Sequence, residues 1–155
     1  MHASGDINIL KPIKLFAARL PISLVDKESK TFSLFPPELT ERVTKTESAI
    51  HYHQWSVYEE DFLKIESLNK AFKCIAVNTS EEGIRYITAM ESYKYPLFSM
   101  LFHPEYMYYR FPSDDTKLIA KCVSSKLNQV GQTNMKKDRN LDGIQFIEDF
   151  NLQPI

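Results

Sequence analysis

A histidine and a glutamate two positions apart, His103 and Glu105, have the clearest capacity for acid/base chemistry in this sequence. An imidazole titrates near neutral pH, and a carboxylate at this spacing can orient it. The pair follows the apolar run 97–102, and Pro104 disfavours a helical conformation at His103. The pattern predicts a proton-transfer site at the end of a strand. The alternative is a histidine that only forms structural hydrogen bonds, which is the commoner role in such a position.

Two further histidines occur in the β-rich run 50–57, where His51, His53 and Trp55 alternate onto one face of a predicted strand. A His-x-His pair on a strand could bind zinc if a third ligand, such as His103, came near. No Cys, Asp or Glu completes a recognisable ligand spacing, so we expect no metal site. From the residues alone, His53 is predicted to line a cleft and to hydrogen-bond to backbone.

The two cysteines, Cys74 and Cys122, are predicted to be buried thiols. They are far apart and lie in different predicted elements, so neither a Cys-x-x-Cys pair nor a disulfide is indicated. Cys74 begins the apolar run 74–77, which is typical of a strand interior where cysteine acts as a small hydrophobe. Because a reactive thiol needs an exposed, electropositive setting, we do not expect Cys74 to be a nucleophile.

Two strand-like runs, residues 85–90 and 97–102, lead to His103 and are joined by a short polar connection that ends at Pro96. The second run is apolar almost throughout, which predicts a strand covered on both faces. The aromatic residues 106–112 that follow are predicted to form a loop. Their rings either form the rim of a site for a flat ligand or cover the end of the sheet.

Three helices are predicted around these strands. The pair Pro36-Pro37 can begin a short helix because a proline at the first helical position loses no needed hydrogen bond. Residues 59–72 carry apolar side chains at spacings of three, three and four, which predicts one amphipathic helix. Residues 113–115 supply N-cap candidates for a helix that continues to about Val130.

The composition excludes several classes of partner. The chain has 155 residues, the length of one domain, with 43% apolar residues, 25% charged residues and a formal net charge of -1. Such a charge balance provides no field for a phosphate backbone, so we expect no nucleic-acid partner. No apolar run reaches the roughly 18 residues that span a bilayer, so no membrane partner is expected. The first ten residues include Asp6 and Asn8 rather than an apolar core, so no secretion signal is predicted there.

Two stretches resemble a known family. Residues 90–96 read Met-Glu-Ser-Tyr-Lys-Tyr-Pro and residues 102–105 read Phe-His-Pro-Glu. They resemble the catalytic stretch of the γ-glutamyl hydrolases, the class I glutamine-amidotransferase-like folate polyglutamate hydrolases. Those proteins usually have Met-Glu-Gly-Tyr-Lys-Tyr-Pro and Trp-His-Pro-Glu, so Ser92 and Phe102 depart from the pattern. Weaker matches are residues 32–39, for Phe-x-x-Phe-Pro-x-Glu-Leu, and the segment around His53, for Asn-Phe-His-x-Trp-Ser.

This resemblance implies a fold and a domain organisation. The fold would be α/β, a partial class I glutamine-amidotransferase-like (flavodoxin-like) three-layer sandwich, with the C-terminal portion of a mixed sheet and flanking helices. Residues 12–130 would form the partial family domain, residues 1–11 a poorly ordered lead-in, and residues 131–155 a linker and C-terminal tail. The family also implies a lysosomal or extracellular location. In a secreted chain the sequon at Asn78 would be a candidate for glycosylation.

The resemblance also implies a reaction, the hydrolysis of γ-glutamyl bonds in folylpoly-γ-glutamates without a cofactor. In that family a cysteine thiolate attacks the amide carbonyl, and a histidine transfers the proton to the leaving amine. By motif, His103 would be the general acid/base and Glu105 the carboxylate that orients it. His53 and Trp55 would shape the substrate site. Homodimerisation is a further expectation from the family.

The family's nucleophile does not have a counterpart in this sequence. That cysteine sits on a glycine-flanked elbow upstream of the matched region, and neither Cys74 nor Cys122 is flanked by glycine. We therefore expect this chain alone to be inactive. Three hypotheses follow. The chain is a truncated form of a γ-glutamyl hydrolase, a non-catalytic binding or interaction remnant of the fold, or one half of a split enzyme whose nucleophile lies on another chain.

Overall fold

The computed structural model describes Gly5 and residues 8–15, 17–110 and 113–135. Within these residues the chain forms an α/β fold of short strands and helices. The strands are β1 Leu10–Pro12, β2 Ala18–Leu20, β3 Ser23–Leu24, β4 Ala49–His51, β5 Trp55–Val57, β6 Phe72–Thr79, β7 Arg85–Ser92 and β8 Phe98–Met100. The helices are α1 Pro37–Val43, α2 Glu59–Lys64, α3 Glu66–Ala71, α4 Pro104–Arg110 and α5 Asp114–Met135, with a 3-10 turn at Phe32–Leu34.

The central sheet has the order β3-β6-β7-β8, and two small sheets pair β1 with β5 and β2 with β4. All strand pairs in the described part of the chain are antiparallel, so the expected mixed sheet is not what this part forms. The longest pair is the β6–β7 hairpin, whose turn contains Gly83 at φ 80°. Antiparallel strands can follow each other through such a tight turn, whereas parallel strands need a longer crossover connection.

Two hydrophobic clusters form around the β6–β7 hairpin. The first joins α1 and α5 to the sheet and includes Leu39, Ile75, Phe102 and Ile119, which are at most 2% exposed. The second joins α2 and α3 to the same hairpin through Phe62 and Leu68. Each helix therefore lies where its apolar face can be buried against the sheet.

Two of the predicted helices are confirmed. Helix α1 begins with Pro37 at its first position, as its sequence predicts. Helix α5 begins at Asp114 but ends at Met135 rather than near Val130, so it includes the first residues of the predicted linker. Residues 136–155 of that predicted segment lie outside the described residues, as do most of the residues in the predicted lead-in before Leu10.

The predicted single helix over residues 59–72 is wrong, since α2 and α3 are separated at Ile65, which has an extended conformation with φ -87° and ψ 94°. The side-chain Nδ2 of Asn69 donates to the carbonyl of Leu63 at 2.8 Å and so satisfies one of the carbonyls that α2 leaves free. Phe72 begins β6 because it pairs with Ser92 of β7. Pairing within the sheet thus overrides the helical periodicity at the end of this segment.

Two predictions around His103 also need correction. Strand β8 is not covered on both faces, because Ser99 is exposed between the half-buried Phe98 and Met100. The aromatic segment after His103 is not a loop as far as Arg110, because Pro104 opens helix α4. No helix in the described residues is both long and apolar enough to cross a membrane.

Candidate active site

The backbone of His103 is held from two sides. Phe102, which is 2% exposed, forms an isolated antiparallel bridge with His51, and the amide of His103 donates to the carbonyl of Ile50 at 3.0 Å. Helix α4 begins at the next residue, and the carbonyl of His103 accepts a bond from the amide of Tyr106 at 3.1 Å. The histidine therefore occupies a fixed corner between an extended segment and a helix.

The side chains of His103 and Glu105 are in contact. Nδ1 of His103 lies 2.8 Å from Oε1 of Glu105, which belongs to the first turn of α4. Because a carboxylate can only accept a hydrogen bond, the contact favours a proton on Nδ1 and leaves the lone pair of Nε2 available. The side chains of His103 and Glu105 are 38% and 67% exposed, so the imidazole is open to a ligand or to solvent. This arrangement can exchange a proton through Nε2.

Aromatic rings surround the histidine on one side. The ring centroid of Tyr52 lies 6.1 Å from that of His103 and 5.3 Å from that of Tyr106, in edge-to-face orientations. Such contacts restrict the rotation of the imidazole in addition to the bond from Glu105. The site is thus built by the segment after β4 and by the first turn of α4.

Behind this site lies a buried group of polar rings. His51 is 0% exposed, and its ring centroid is 5.1 Å from that of His53, which in turn is 5.9 Å from that of Tyr86. Burial lowers the pKa of His51 from 6.5 to about 3, and the charges of protonated His53 and His103 act in the same direction. Burial also lowers the pKa of His53. The backbone of Leu101 acts to raise this pKa, and the charge of protonated His103 acts to lower it. Both imidazoles are therefore neutral at pH 7.

His53 lies near enough to His103 for a charge on His103 to lower the pKa of His53, whereas Trp55 lines a different part of the surface. The strand predicted over residues 50–57 is interrupted after His51, and β4 and β5 belong to different sheets. The prediction that His51, His53 and Trp55 share one face is therefore wrong, since His51 is fully buried while Trp55 is 55% exposed. Trp55 lines a separate shallow pocket of about 330 Å³ next to β1.

The two cysteines are free, and neither has the properties of an activated nucleophile. Burial raises the pKa of the Cys74 thiol, in β6, to about 11. Burial also raises the pKa of Cys122, which packs in the first hydrophobic cluster from α5. Both thiols are protonated at neutral pH, and the thiolate is the nucleophilic form.

The remaining predicted site residue, Asn78, is 5% exposed in β6. Its Nδ2 atom donates to the carbonyl of Pro21 at 2.9 Å. A sugar on that nitrogen would need the side chain to leave its buried position. Among the described residues there is no group of three or more His, Cys, Asp or Glu that could hold a metal ion.

A groove between α4 and α5 adjoins the candidate site and was not predicted. It has a volume of about 960 Å³, and its walls include Glu105, Tyr109, Lys117 and Leu127. The sequence gives no signal for this groove, because residues 106–112 read as a loop and the groove exists only if α4 packs beside α5. An elongated ligand in this groove would pass Glu105.

Comparison with known proteins supplies an independent line of argument. No family model matches the chain. The γ-glutamyl hydrolase of Rattus norvegicus is 31% identical over 100 residues, which cover 63% of this chain and 31% of the relative. The γ-glutamyl hydrolase of Homo sapiens is 28% identical over 115 residues, covering 74% of this chain and 34% of the relative. γ-Glutamyl hydrolase B of Dictyostelium discoideum is 25% identical over 100 residues, covering 64% and 29%. The chain spans about a third of the length of these curated relatives.

Proposed function

The chain belongs to the γ-glutamyl hydrolase family, and from this membership we propose that it carries the proton-transfer half of a γ-glutamyl hydrolase site. The single observation that supports this role is the 2.8 Å contact between His103 Nδ1 and Glu105 Oε1. In this proposal His103 is the general acid/base, and Glu105 is a positioning residue that fixes its tautomer.

The substrate class is a folylpoly-γ-glutamate, and the bond cleaved is a γ-glutamyl amide. Nε2 of His103 accepts the proton of the cysteine thiol, the resulting thiolate attacks the amide carbonyl, and the C–N bond breaks as that proton passes from Nε2 to the leaving nitrogen. Water then hydrolyses the thioester with His103 accepting its proton. His53 is half-buried, and because burial lowers its pKa it is neutral and adds no competing charge at pH 7. Trp55 is 55% exposed and lies in a different sheet from His51, so it has no role in this reaction scheme.

The attacking thiolate must come from outside the two thiols of this chain, because burial raises the pKa of both Cys74 and Cys122. We propose that it lies on a glycine-flanked elbow, either in a longer form of the same polypeptide or on a second chain. The complete domain would then have the class I glutamine-amidotransferase-like arrangement and the lysosomal or extracellular location of the family. These 155 residues would supply the histidine and the glutamate.

A second candidate function is a binding protein that kept the site but lost the reaction. The observation that favours it is that neither thiol in the chain is positioned as an exposed thiolate. Such a protein would bind a folylpoly-γ-glutamate without cleaving it.

The two functions are separated by measuring glutamate release from folyltri-γ-glutamate. Three preparations are compared: the product of the complete transcript that contains these residues, the 155-residue chain alone, and that chain mixed with the cysteine-bearing part of a relative. We expect hydrolysis in the first or third preparation. His103→Gln should then lower kcat by roughly 10² to 10⁴ with little change in KM, because general acid/base catalysis contributes about that much.

The matched control is Lys70→Gln, which changes a 72% exposed side chain of α3 that lines neither the candidate site nor the groove and should leave kcat unchanged. If no preparation hydrolyses the substrate but calorimetry detects its binding to the 155-residue chain, the binding function is the correct one. If there is neither hydrolysis nor binding, both candidate functions are wrong.

A further inference from the structure

A second cleft lies at the other end of β8 from His103. We call it the basic cleft, and it is formed by the β7–β8 loop, the segment before the 3-10 turn and the C-terminal half of α5. Its volume is about 360 Å³, which is in the range of small-molecule sites. The side chains that matter for its chemistry are Lys30, Glu91, Lys94, Tyr95, Leu97 and Lys126.

The basic cleft is separate from the candidate active site. Phe98 lines the basic cleft and His103 follows five residues later along an extended segment, so the two ends lie roughly 16 Å apart at the usual rise of a strand. An inference about this cleft therefore does not rest on the proposed hydrolase function.

The walls of the basic cleft are fixed by buried polar side chains. Glu91 is 6% exposed and accepts three bonds: from the amide of Lys30 at 3.0 Å, from the amide of Thr31 at 3.0 Å and from the hydroxyl of Thr31 at 2.9 Å. Ser92 is 4% exposed, and its hydroxyl accepts bonds from the amides of Lys94 and Tyr95. The bonds of Glu91 hold β7 against Lys30 and Thr31, which lie 61 and 60 positions away in the sequence. Both segments therefore have a defined position around the cleft.

Among the described residues, the ammonium groups in this cleft have no carboxylate within ion-pair distance. Elsewhere Lys45, Lys64 and Lys70 each pair with a glutamate one helical turn away. In the part of the chain that the structure describes, neither Lys94 nor Lys126 forms an ion pair.

The remaining charges leave the cleft positive. The Nζ atom of Lys30 donates to the backbone carbonyl of Tyr93 at 3.2 Å, which leaves its charge uncompensated. Among the described residues, Glu91 is the one carboxylate that lines the cleft, and its oxygens are occupied by the bonds to residues 30 and 31. The described part of the chain thus places three cations around a single carboxylate in this cleft.

Flat apolar surface lies next to these cations. Tyr95 is 55% exposed and Leu97 is 56% exposed, and both line the cleft. The Nζ atom of Lys94 lies 5.2 Å from the centroid of the Tyr95 ring, so a cation and an aromatic surface are presented side by side. Exposed apolar groups beside unpaired charges are typical of a site for an amphipathic ligand.

We propose that the basic cleft binds a small aromatic anion, whose ring lies against Tyr95 and Leu97 and whose phosphate or carboxylate group contacts Lys94 and Lys126. The charge and the ring of the ligand would each contribute to its affinity, because the cleft offers ammonium donors and apolar surface within one small volume.

The test is calorimetry or NMR titration of the 155-residue chain at an ionic strength of about 0.15 M, where the Debye length is about 8 Å. The probes are phenyl phosphate, benzene-1,3-dicarboxylate, phenol and inorganic phosphate. We expect the two aromatic anions to bind at least about tenfold more tightly than phenol or phosphate. Phenol lacks the anionic group, and inorganic phosphate lacks the aromatic ring. The tighter of the two aromatic anions identifies whether phosphate or carboxylate is preferred.

A matched pair of double variants locates the site. Lys94→Gln with Lys126→Gln should weaken binding of the preferred anion about tenfold or more, since each lost charged hydrogen bond removes on the order of 1 kcal/mol. Lys11→Gln with Lys117→Gln removes the same net charge outside the cleft and should change the affinity less than about twofold at a physiological screening length. Tyr95→Ser should weaken phenyl phosphate more than inorganic phosphate.

Three results would each overturn the proposal. They are equal affinities for phenol and phenyl phosphate, equal weakening by the two double variants, and no binding of any probe at about 10 mM, which corresponds to a free energy weaker than roughly -3 kcal/mol.

Discussion

The imidazole rings of His51 and His53 lie 5.1 Å apart, centroid to centroid, with His51 fully buried. Within the described residues neither ring nitrogen of His51 has a hydrogen-bond partner. A buried imidazole without an acceptor for its N–H group costs free energy, and a protonated one would cost much more. The fold tolerates this pair only in its neutral form, and this property determines how the protein responds to acid.

We expect the protein to lose stability as the pH falls from about 6.5 toward 3. Burial lowers the pKa of His51 from 6.5 to about 3, so in this window the unfolded chain binds a proton that the folded chain does not. The resulting slope is roughly 1.4 kcal/mol per pH unit for one such histidine, and His53 acts in the same direction. Urea unfolding at pH 7, 6 and 5 measures this slope. His51→Phe should reduce it by about one proton, while Lys70→Gln should not change it. An unchanged slope in His51→Phe would contradict this account.

The contact between Glu105 and His103 should fix the tautomer of the histidine. With Oε1 of Glu105 at 2.8 Å, neutral His103 should carry its proton on Nδ1. Glu105→Ala removes the acceptor, so the population should move toward the Nε2-protonated form, as in a free imidazole. Glu105→Gln keeps a carbonyl oxygen that can accept and should preserve the native tautomer. Long-range ¹H–¹⁵N spectra at pH 8 distinguish these forms. Because the pair is solvent-exposed, stability should change by less than about 1 kcal/mol in either variant.

Helix α5 should be held to the sheet by its buried face. Ile119 is 0% exposed in the first hydrophobic cluster, so Ile119→Ala should lower the free energy of unfolding by about 2–5 kcal/mol. Leu127 belongs to the same helix but is 55% exposed, and Leu127→Ala should change the stability by less than about 0.5 kcal/mol. Urea unfolding at pH 7 compares the two variants. Similar losses in both would show that α5 does not pack as described.

Glu91 should be a strong determinant of stability although it is charged. Its carboxylate accepts bonds from the amides of Lys30 and Thr31 and from the Thr31 hydroxyl. Glu91→Ala should cost on the order of 3 kcal/mol, because buried donors lose their acceptor, and Glu91→Gln should cost less because one acceptor oxygen remains. Glu66→Ala, which removes an exposed partner of Lys70, is the control and should cost under about 0.5 kcal/mol. A loss in Glu91→Ala no larger than in this control would refute the role.

The contact between His103 and Glu105 was predictable because it is local. The two residues are separated only by Pro104, which excludes a helical conformation before it and begins α4 after it. The start of α1 at Pro37 was predictable for the same reason, since a proline acts on its own backbone and on the residue before it. Family membership was also readable from short motifs, and the relatives confirm it.

The break between α2 and α3 was not predictable from periodicity. The apolar spacing across residues 59–72 fits one helix, but Phe72 is drawn into the ladder with Ser92. Likewise, alternation predicted one environment for His51 and Trp55, whereas two different sheets place one inside and the other outside. The pattern of a segment describes its own periodicity and not which strand it will pair with.

By itself, the sequence determined the family, the adjacency of His103 and Glu105 and the lack of a glycine-flanked cysteine, because each depends on residue types within a few positions of one another. Only the tertiary structure decided that β8 is an edge strand, that the imidazole of His51 is fully buried against that of His53, and that Lys30, Lys94 and Lys126 meet in one cleft. Those features depend on the order of strands in the sheet and on contacts between residues more than 30 positions apart, which local propensity does not encode.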